Sequence, residues 1–166
     1  MSDEVLYKGR IFTLVKTDHD GHEYDVIRHP GGVGISCVDN GKILLVRQFR
    51  PAVGKYTLEI PAGKLEYGEE PAACGMRELN EETGYECERL ELVQSFYSTP
   101  GFCDENLWVY KAVGLKKAEH KLPMDPDEDI DRIWTDLDKA YEMACSGEIC
   151  DAKTLIAIYR AKLESC

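Results

Sequence analysis

The run Gly63-Lys-Leu-Glu-Tyr-Gly-Glu69-Glu-Pro-Ala-Ala-Cys-Gly-Met-Arg77-Glu78-Leu79-Asn80-Glu81-Glu82-Thr83-Gly84 marks where this chain changes period. Pro71 suits the first turn of a helix, where its missing N–H costs nothing, and Gly84 suits the position just past the end. Between them Ala72, Met76, Leu79 and Thr83 recur at helical spacing and predict the buried face. Glu78, Glu81 and Glu82 fall within about a third of the circumference, roughly opposite that face. Like charges at i,i+4 destabilise a helix by about 0.2–0.5 kcal/mol per pair. Arg77 is adjacent in sequence, so it is not expected to sit directly over Glu78 or Glu82. The bland reading is an acidic, solvated face. The chemical reading is a hard divalent cation held by oxygens, since magnesium takes one or two carboxylates plus waters and substrate phosphates. Gly75 inside the helix costs roughly 1 kcal/mol relative to alanine, for which close packing is the available account.

Upstream, the first 60 residues read as short strands. Val33–Val38 and Ile43–Phe49 flank Asp39-Asn40-Gly41-Lys42, and Asn-Gly is the pair that a type I′ hairpin requires. Thr57–Ile60 is a further strand, ended by Pro61. Downstream, Leu90–Ser98 and Asn106–Val113 are β-like, 114–127 is a polar connection, and Asp129–Trp134 is a last strand. Two helices close the chain, about 136–146, stopped by Gly147, and about 151–164, with Asp151 as N-cap. The expected class is α+β, a mixed β-sheet sandwiched between helices with an N-terminal antiparallel strand region. No repeat or low-complexity linker interrupts the chain, so 1–166 reads as one domain.

Composition narrows the partners. The 166 residues carry 20 basic and 31 acidic side chains, a formal net charge of −11. Polyanionic partners need a basic footprint, so nucleic acid and acidic membrane surfaces are disfavoured. No apolar run approaches the roughly 20 residues that span a bilayer, and the acidic start Met1-Ser2-Asp3-Glu4 lacks the features of a secretory signal. A cytoplasmic location is expected. The seven cysteines are odd in number and contain no C-x-x-C pair, which argues against a disulfide framework or a zinc site. The acidic run Asp125–Asp131 lacks the glycine and closing glutamate of a calcium loop and reads as solvated.

The spacing Gly63, five residues, Glu69, seven residues, Arg77-Glu78-Leu79-x-Glu81-Glu82-x-Gly84 resembles the Nudix box, with every fixed position filled. At average residue frequencies a chance match is on the order of one in a million. Tyr85 departs from the aliphatic residue usual at the box's end. Resemblance to this family implies a Nudix fold and hydrolysis of a nucleoside diphosphate linked to another group. It further implies Mg2+ or Mn2+, two or three ions, on Glu78, Glu82 and Glu81, with the Ala62 carbonyl completing the shell and Arg77 orienting Glu69 or Glu81. The physics is consistent with that assignment, because an acidic protein holds a diphosphate only with cations between the two.

Two flanks resemble the ADP-ribose pyrophosphatase branch: Val46-Arg47-Gln48-Phe49-Arg50-Pro51 with Leu58-Glu59-Ile60-Pro61-Ala62-Gly63, and Tyr97-Ser98-Thr99-Pro100-Gly101-Phe102-Cys103-Asp104-Glu105. Arg50 suits a phosphate through its planar paired donors, and its alternative is a surface ion pair. Only one of Arg47 and Arg50 is expected to meet substrate, and Phe49 between them reads as core. Arg28 and Glu59 join the candidate substrate residues, with Gly101 and Phe102 shaping the pocket. By resemblance Glu105, on a loop able to close, is the candidate general base, and Glu81 competes for that role. The four histidines show no ligand spacing, and a metal-activated water makes Cys103 unnecessary as a nucleophile. The implied reaction is ADP-ribose plus water to AMP and ribose 5-phosphate. GDP-mannose or ADP-glucose are alternative substrates, and a non-catalytic nucleotide sensor on the same fold is the rival class. The family also implies a homodimer in which about residues 1–40 help to build the partner's pocket.

Overall fold

A computed structural model describes residues 3–124 and 130–165, so most of the acidic run Asp125–Asp131 and Cys166 lie outside the described residues. The N-terminal region is an antiparallel sheet of β1 (Glu4–Lys8), β2 (Thr13–His19) and β3 (His22–Arg28). Asp20 and Gly21 take positive φ at its second turn, leaving His19 and His22 exposed as the sequence predicts. β4 (Gly32–Ser36) is followed by β5 (Val38–Asp39), β6 (Lys42–Arg50), β7 (Lys55–Glu59) and β8 (Ala62–Lys64). Then come α1 (Pro71–Thr83), β9 (Tyr85–Glu86), β10 (Arg89–Tyr97), β11 (Asn106–Val113), β12 (Lys116–Lys117), β13 (Asp131–Asp136), α2 (Leu137–Ser146) and α3 (Ala152–Glu164).

The strands form two main sheets rather than one. The first has the order β10-β11-β4-β8 and is mixed, with β11 and β4 parallel and the other pairs antiparallel. The second is antiparallel, β13-β6-β5, with β7 also on β6. The expected strand Val33–Val38 is therefore cut at Cys37, where the chain passes from one sheet to the other. The Asn40-Gly41 hairpin forms as predicted, with φ of 48° and 73°. Among its described residues, the polar connection 114–127 contains one short strand, β12, paired with β9, and the last strand starts at Asp131.

Alternation along the strands feeds two cores. Val33, Ile35, Tyr110 and Leu44 pack with Leu79 and Cys74 of α1. Ile43, Leu45, Ile60 and Val109 pack with Ala140 and Ala144 of α2 and with Ala157 and Ile158 of α3. Cys37, Cys74 and Cys87 are buried thiols, and burial pushes Cys74 up to about 12. Phe49, expected in the core, is 47% exposed because it lies near the outer end of the β6–β7 hairpin, edge-on to Tyr56. Tyr85 stacks edge-on against Trp134, which accounts for an aromatic at the end of the box.

Candidate active site

Helix α1 begins at Pro71 and ends on Gly84 in the left-handed conformation, with φ of 71°. Its buried residues are Cys74, Gly75, Glu78, Leu79, Glu82 and Thr83, while Ala72 and Met76 are exposed. The buried half is thus rotated by about a quarter turn from the predicted stripe, toward the glutamates. Gly75 lies on that buried side, where a Cβ would approach Leu90 Cδ1 to 2.8 Å, so a glycine permits the close approach of the helix to β10 there. The rotation buries Glu78 and Glu82, only 7% and 2% exposed, which the sequence placed on an open face.

The second correction concerns Arg77. It lies among the carboxylates, with Nη1 donating to Glu78 Oε1 at 2.7 Å and Glu81 Oε2 at 2.9 Å. Its Nε and Nη2 donate to the two oxygens of Glu69, both at 3.0 Å. A guanidinium offers a planar fork of five donors, so it can serve three carboxylates at once. Glu69 answers by holding its carboxyl down at about 2, chiefly through the Arg77 hydrogen bonds and against the effect of burial. Arg77 is raised in turn, first by Glu69.

The five residues Glu59–Gly63 tie this helix to the rest of the site. The Glu59 side chain is engaged by Arg50, Thr57 and Lys153. The Ile60 N–H donates to Thr154 Oγ1 at 2.8 Å, and the Pro61 carbonyl accepts from the Ile35 N–H at 2.8 Å. The Ala62 N–H donates to Glu82 Oε2 at 2.9 Å. Gly63 abuts the Glu78 carboxylate, where a Cβ would have no room.

Arg50 meets Glu59 through two parallel hydrogen bonds of 2.7 Å, Nε to Oε1 and Nη2 to Oε2. Burial raises the Glu59 pKa, but Arg50, the Lys153 charge and Thr57 outweigh it and hold the carboxyl well below the usual range. Glu59 is 3% exposed, and its carboxylate is taken up by Arg50, whose side chain is 40% exposed. Arg47 on the other face lies 3.9 Å over the Tyr56 ring and reaches Asp131, which leaves Arg50 as the inward arginine.

Arg28, Gly101, Phe102, Cys103 and Asp104 line a separate cleft of about 290 Å³. Arg28 is bound by Asp3 at 2.9 and 3.1 Å and by Asp104 at 3.2 Å, so it clamps the N-terminal segment to this loop. The loop that carries Glu105 is joined to β3: the Ile27 N–H donates to the Phe102 carbonyl at 2.7 Å and the Asp104 N–H to the Ile27 carbonyl at 3.1 Å. The Glu105 carboxylate lies beside His29, whose Nδ1 is 3.4 Å from Oε1 and accepts from the Gly31 N–H at 3.0 Å. Sequence reasoning assigned no role to His29 or to Lys153, though Asp151-Ala152-Lys153-Thr154 loosely resembles the ADP-ribose pyrophosphatase branch. The adjacency of His29 to Pro30-Gly31-Gly32 was a weak signal, and Asp151-x-Lys153-Thr154 a slightly stronger one.

Among the described residues no group of three or more His, Cys, Asp or Glu side chains is placed to hold a metal ion, and Arg77 reaches both Glu78 and Glu81. The donor set nonetheless fits a hard divalent cation: Glu69, Glu78 and Glu81 are oxygen donors around a single guanidinium, Glu82 adds a carboxylate four residues after Glu78, and a glycine leaves the Glu78 carboxylate its space.

Residues 28–154 match the family model of the NUDIX domain. The chain is 41% identical over 167 residues to a methanol dehydrogenase activator of Bacillus methanolicus, covering 97% of this chain and 90% of that one. It is 38% identical over 170 residues to an ADP-ribose pyrophosphatase of Bacillus subtilis, covering 99% and 92%. In three dimensions it is similar to the crystal structure of an ADP compounds hydrolase, with a TM-score of 0.80 at 19% identity over 99% of this chain and 91% of the other.

Proposed function

The chain belongs to the NUDIX family, and from that premise we propose that it cleaves ADP-ribose with water to give AMP and ribose 5-phosphate. The observation that carries this reading is the segment Glu59–Gly63, which joins an arginine suited to phosphate to a helix crowded with carboxylates. The likeness to an ADP-ribose pyrophosphatase over nearly the whole chain supports that substrate over GDP-mannose or ADP-glucose. Release of AMP from ADP-ribose, dependent on a divalent ion and compared by kcat/KM across these three diphosphates, is the test. Absence of AMP would overturn the reading.

In this reaction one bridging P–O bond breaks, the water oxygen ends on one phosphate and the bridging oxygen leaves on the other. Glu78, Glu82 and Glu81, with the Ala62 carbonyl, would hold the divalent cation, which when bound polarises the phosphoryl oxygen and lowers the pKa of a coordinated water. Magnesium is our choice over manganese. Arg77 keeps Glu69, Glu78 and Glu81 in place and reduces their mutual repulsion. Arg50 offers its exposed face to a phosphate, held in one orientation by Glu59. Glu105 is our candidate to take the proton of the attacking water, since an Oε atom of Glu81 is already occupied by Arg77. Arg28, Gly101 and Phe102 would border the nucleoside side, where the 54% exposed Phe102 offers a ring face.

We take 1–166 as one domain acting in the cytoplasm, and the assembly as a homodimer. Supporting the dimer, Val5, Leu6, Tyr7 and Ile11 are all exposed on the N-terminal sheet and its first turn, a concentration of apolar surface unusual for a monomer. No helix among the described residues is long and apolar enough to cross a membrane. The 41% identity to a methanol dehydrogenase activator favours one second reading, an effector of an alcohol dehydrogenase. Adding the purified protein to such an enzyme and measuring its turnover tests it, and no change in turnover would rule it out.

A further inference from the structure

Helix α3 needs little from its first turn beyond a cap, and Asp151 supplies one by accepting from the Thr154 N–H at 3.0 Å. Yet Lys153 in that turn is buried, 9% exposed, and reaches across the fold to Glu59 Oε2 at 2.6 Å while also meeting Asp151 Oδ1 at 2.9 Å. A buried ammonium is costly, and replacing such a pair by apolar groups is often neutral or stabilising. Stability alone therefore does not explain a lysine here. The charges do suggest a task. Arg50 and Lys153 together balance Glu59 and Asp151, leaving the cluster neutral. Without Lys153 the cluster would carry one net negative charge, and Glu82 adds its own negative field at Arg50. An anionic diphosphate would then meet repulsion at the group meant to hold it.

We infer that Lys153 is a positioning residue for the diphosphate: by sharing Glu59 Oε2 with Arg50 and cancelling a charge, it lets the guanidinium that Glu59 orients attract a phosphate. The inference deepens the proposed function and rests on Arg50 binding substrate. It concerns affinity for the anion more than the chemical step, since Lys153 acts through Glu59, the carboxylate that holds Arg50.

The experiment measures kcat and KM for ADP-ribose in the wild type, Arg50→Ala, Lys153→Met, Lys153→Arg and the double variant Glu59→Gln/Lys153→Met, with thermal melts of each. Lys153→Met is expected to raise KM about tenfold with kcat within about threefold, and Lys153→Arg to recover most of it. The double variant, which removes both charges, is expected to bring KM back toward the wild-type value, an effect that a purely structural role would not produce. If Lys153→Met does not fold, Lys153→Gln, which keeps a donor and drops the charge, carries the same expectation. An unchanged KM in Lys153→Met beside a raised KM in Arg50→Ala overturns the inference while the reading of Arg50 stands. An unchanged KM in Arg50→Ala overturns both. A lowered melting point and kcat with unchanged KM would reduce Lys153 to a helix-docking residue.

Discussion

Gly63 faces the Glu78 carboxylate so closely that a Cβ added at position 63 would fall 1.9 Å from Cδ and 2.0 Å from Oε1. The glycine is therefore the space in which the carboxylate sits, and Arg77 holds that carboxylate in place at 2.7 Å.

Gly63→Ala is accordingly expected to displace Glu78 without unfolding the chain. Displacement of a reacting group by about 1 Å can lower rate about 100-fold, and a loss of that order in kcat/KM is expected beside an unchanged circular dichroism spectrum. Full activity in the alanine variant would show that Glu78 has freedom to move.

Glu82→Gln keeps an acceptor for the Ala62 N–H and removes one buried charge. Turnover is expected to fall on the order of 100-fold or more, with weaker binding of Mg2+ in isothermal titration. Activity near the starting level would remove Glu82 from the proposed ligand set.

Acid stability follows from two depressed carboxyls. Glu69, at about 2, and Glu59, held well below the usual carboxylate range, are deprotonated more readily in the folded than in the unfolded chain. Their contribution is full above roughly pH 4.5 and is lost as pH falls through the folded values, because the unfolded chain then binds more protons. Urea unfolding between pH 5 and pH 2.5 (both approximate working limits) should show stability falling steadily. Arg77→Met should flatten part of that slope by returning Glu69 toward its ordinary value.

The two candidates for the base separate by substitution. Glu105→Gln is expected to lower kcat about 10²–10⁴-fold with KM little changed, the range for loss of a general base. Glu81→Gln is expected to alter mainly the dependence on divalent-ion concentration. The opposite pattern would move the role to Glu81.

The assembly is checked by sedimentation. The wild type is expected at twice the chain mass of 18.8 kDa. Val5→Asp with Tyr7→Asp, placed on the exposed N-terminal strand, is expected to shift it to one chain mass. A monomeric wild type would withdraw the dimer.

How much of this could be read in advance differs by residue. The helix ends at Pro71 and Gly84, the Asn40-Gly41 turn and the cap at Asp151 are local decisions, fixed by φ restrictions and by one orphan N–H or another, and each appears where its residues predict it. The family too was legible, because the box is a contiguous run. The facing of α1 was not. Periodicity reports which residues share a stripe, and Ala72 and Met76 were as apolar as any. Which side turns inward was decided by packing against strands distant along the chain, where Cys74 and Leu79 join the core and Gly75 comes close to Leu90.

Sequence alone settled the identity and spacing of the acidic helix, the α+β class and the family, since all three depend on neighbours along the chain. Tertiary structure alone decided that Arg77 serves three carboxylates, that Glu59 is shared by Arg50 and Lys153, and that Glu105 lies beside His29. Those are contacts between side chains whose positions in the sequence are up to 94 apart. Their geometry depends on two sheets and three helices packing at once, and no local rule specifies the distance between charges that only the complete fold brings together.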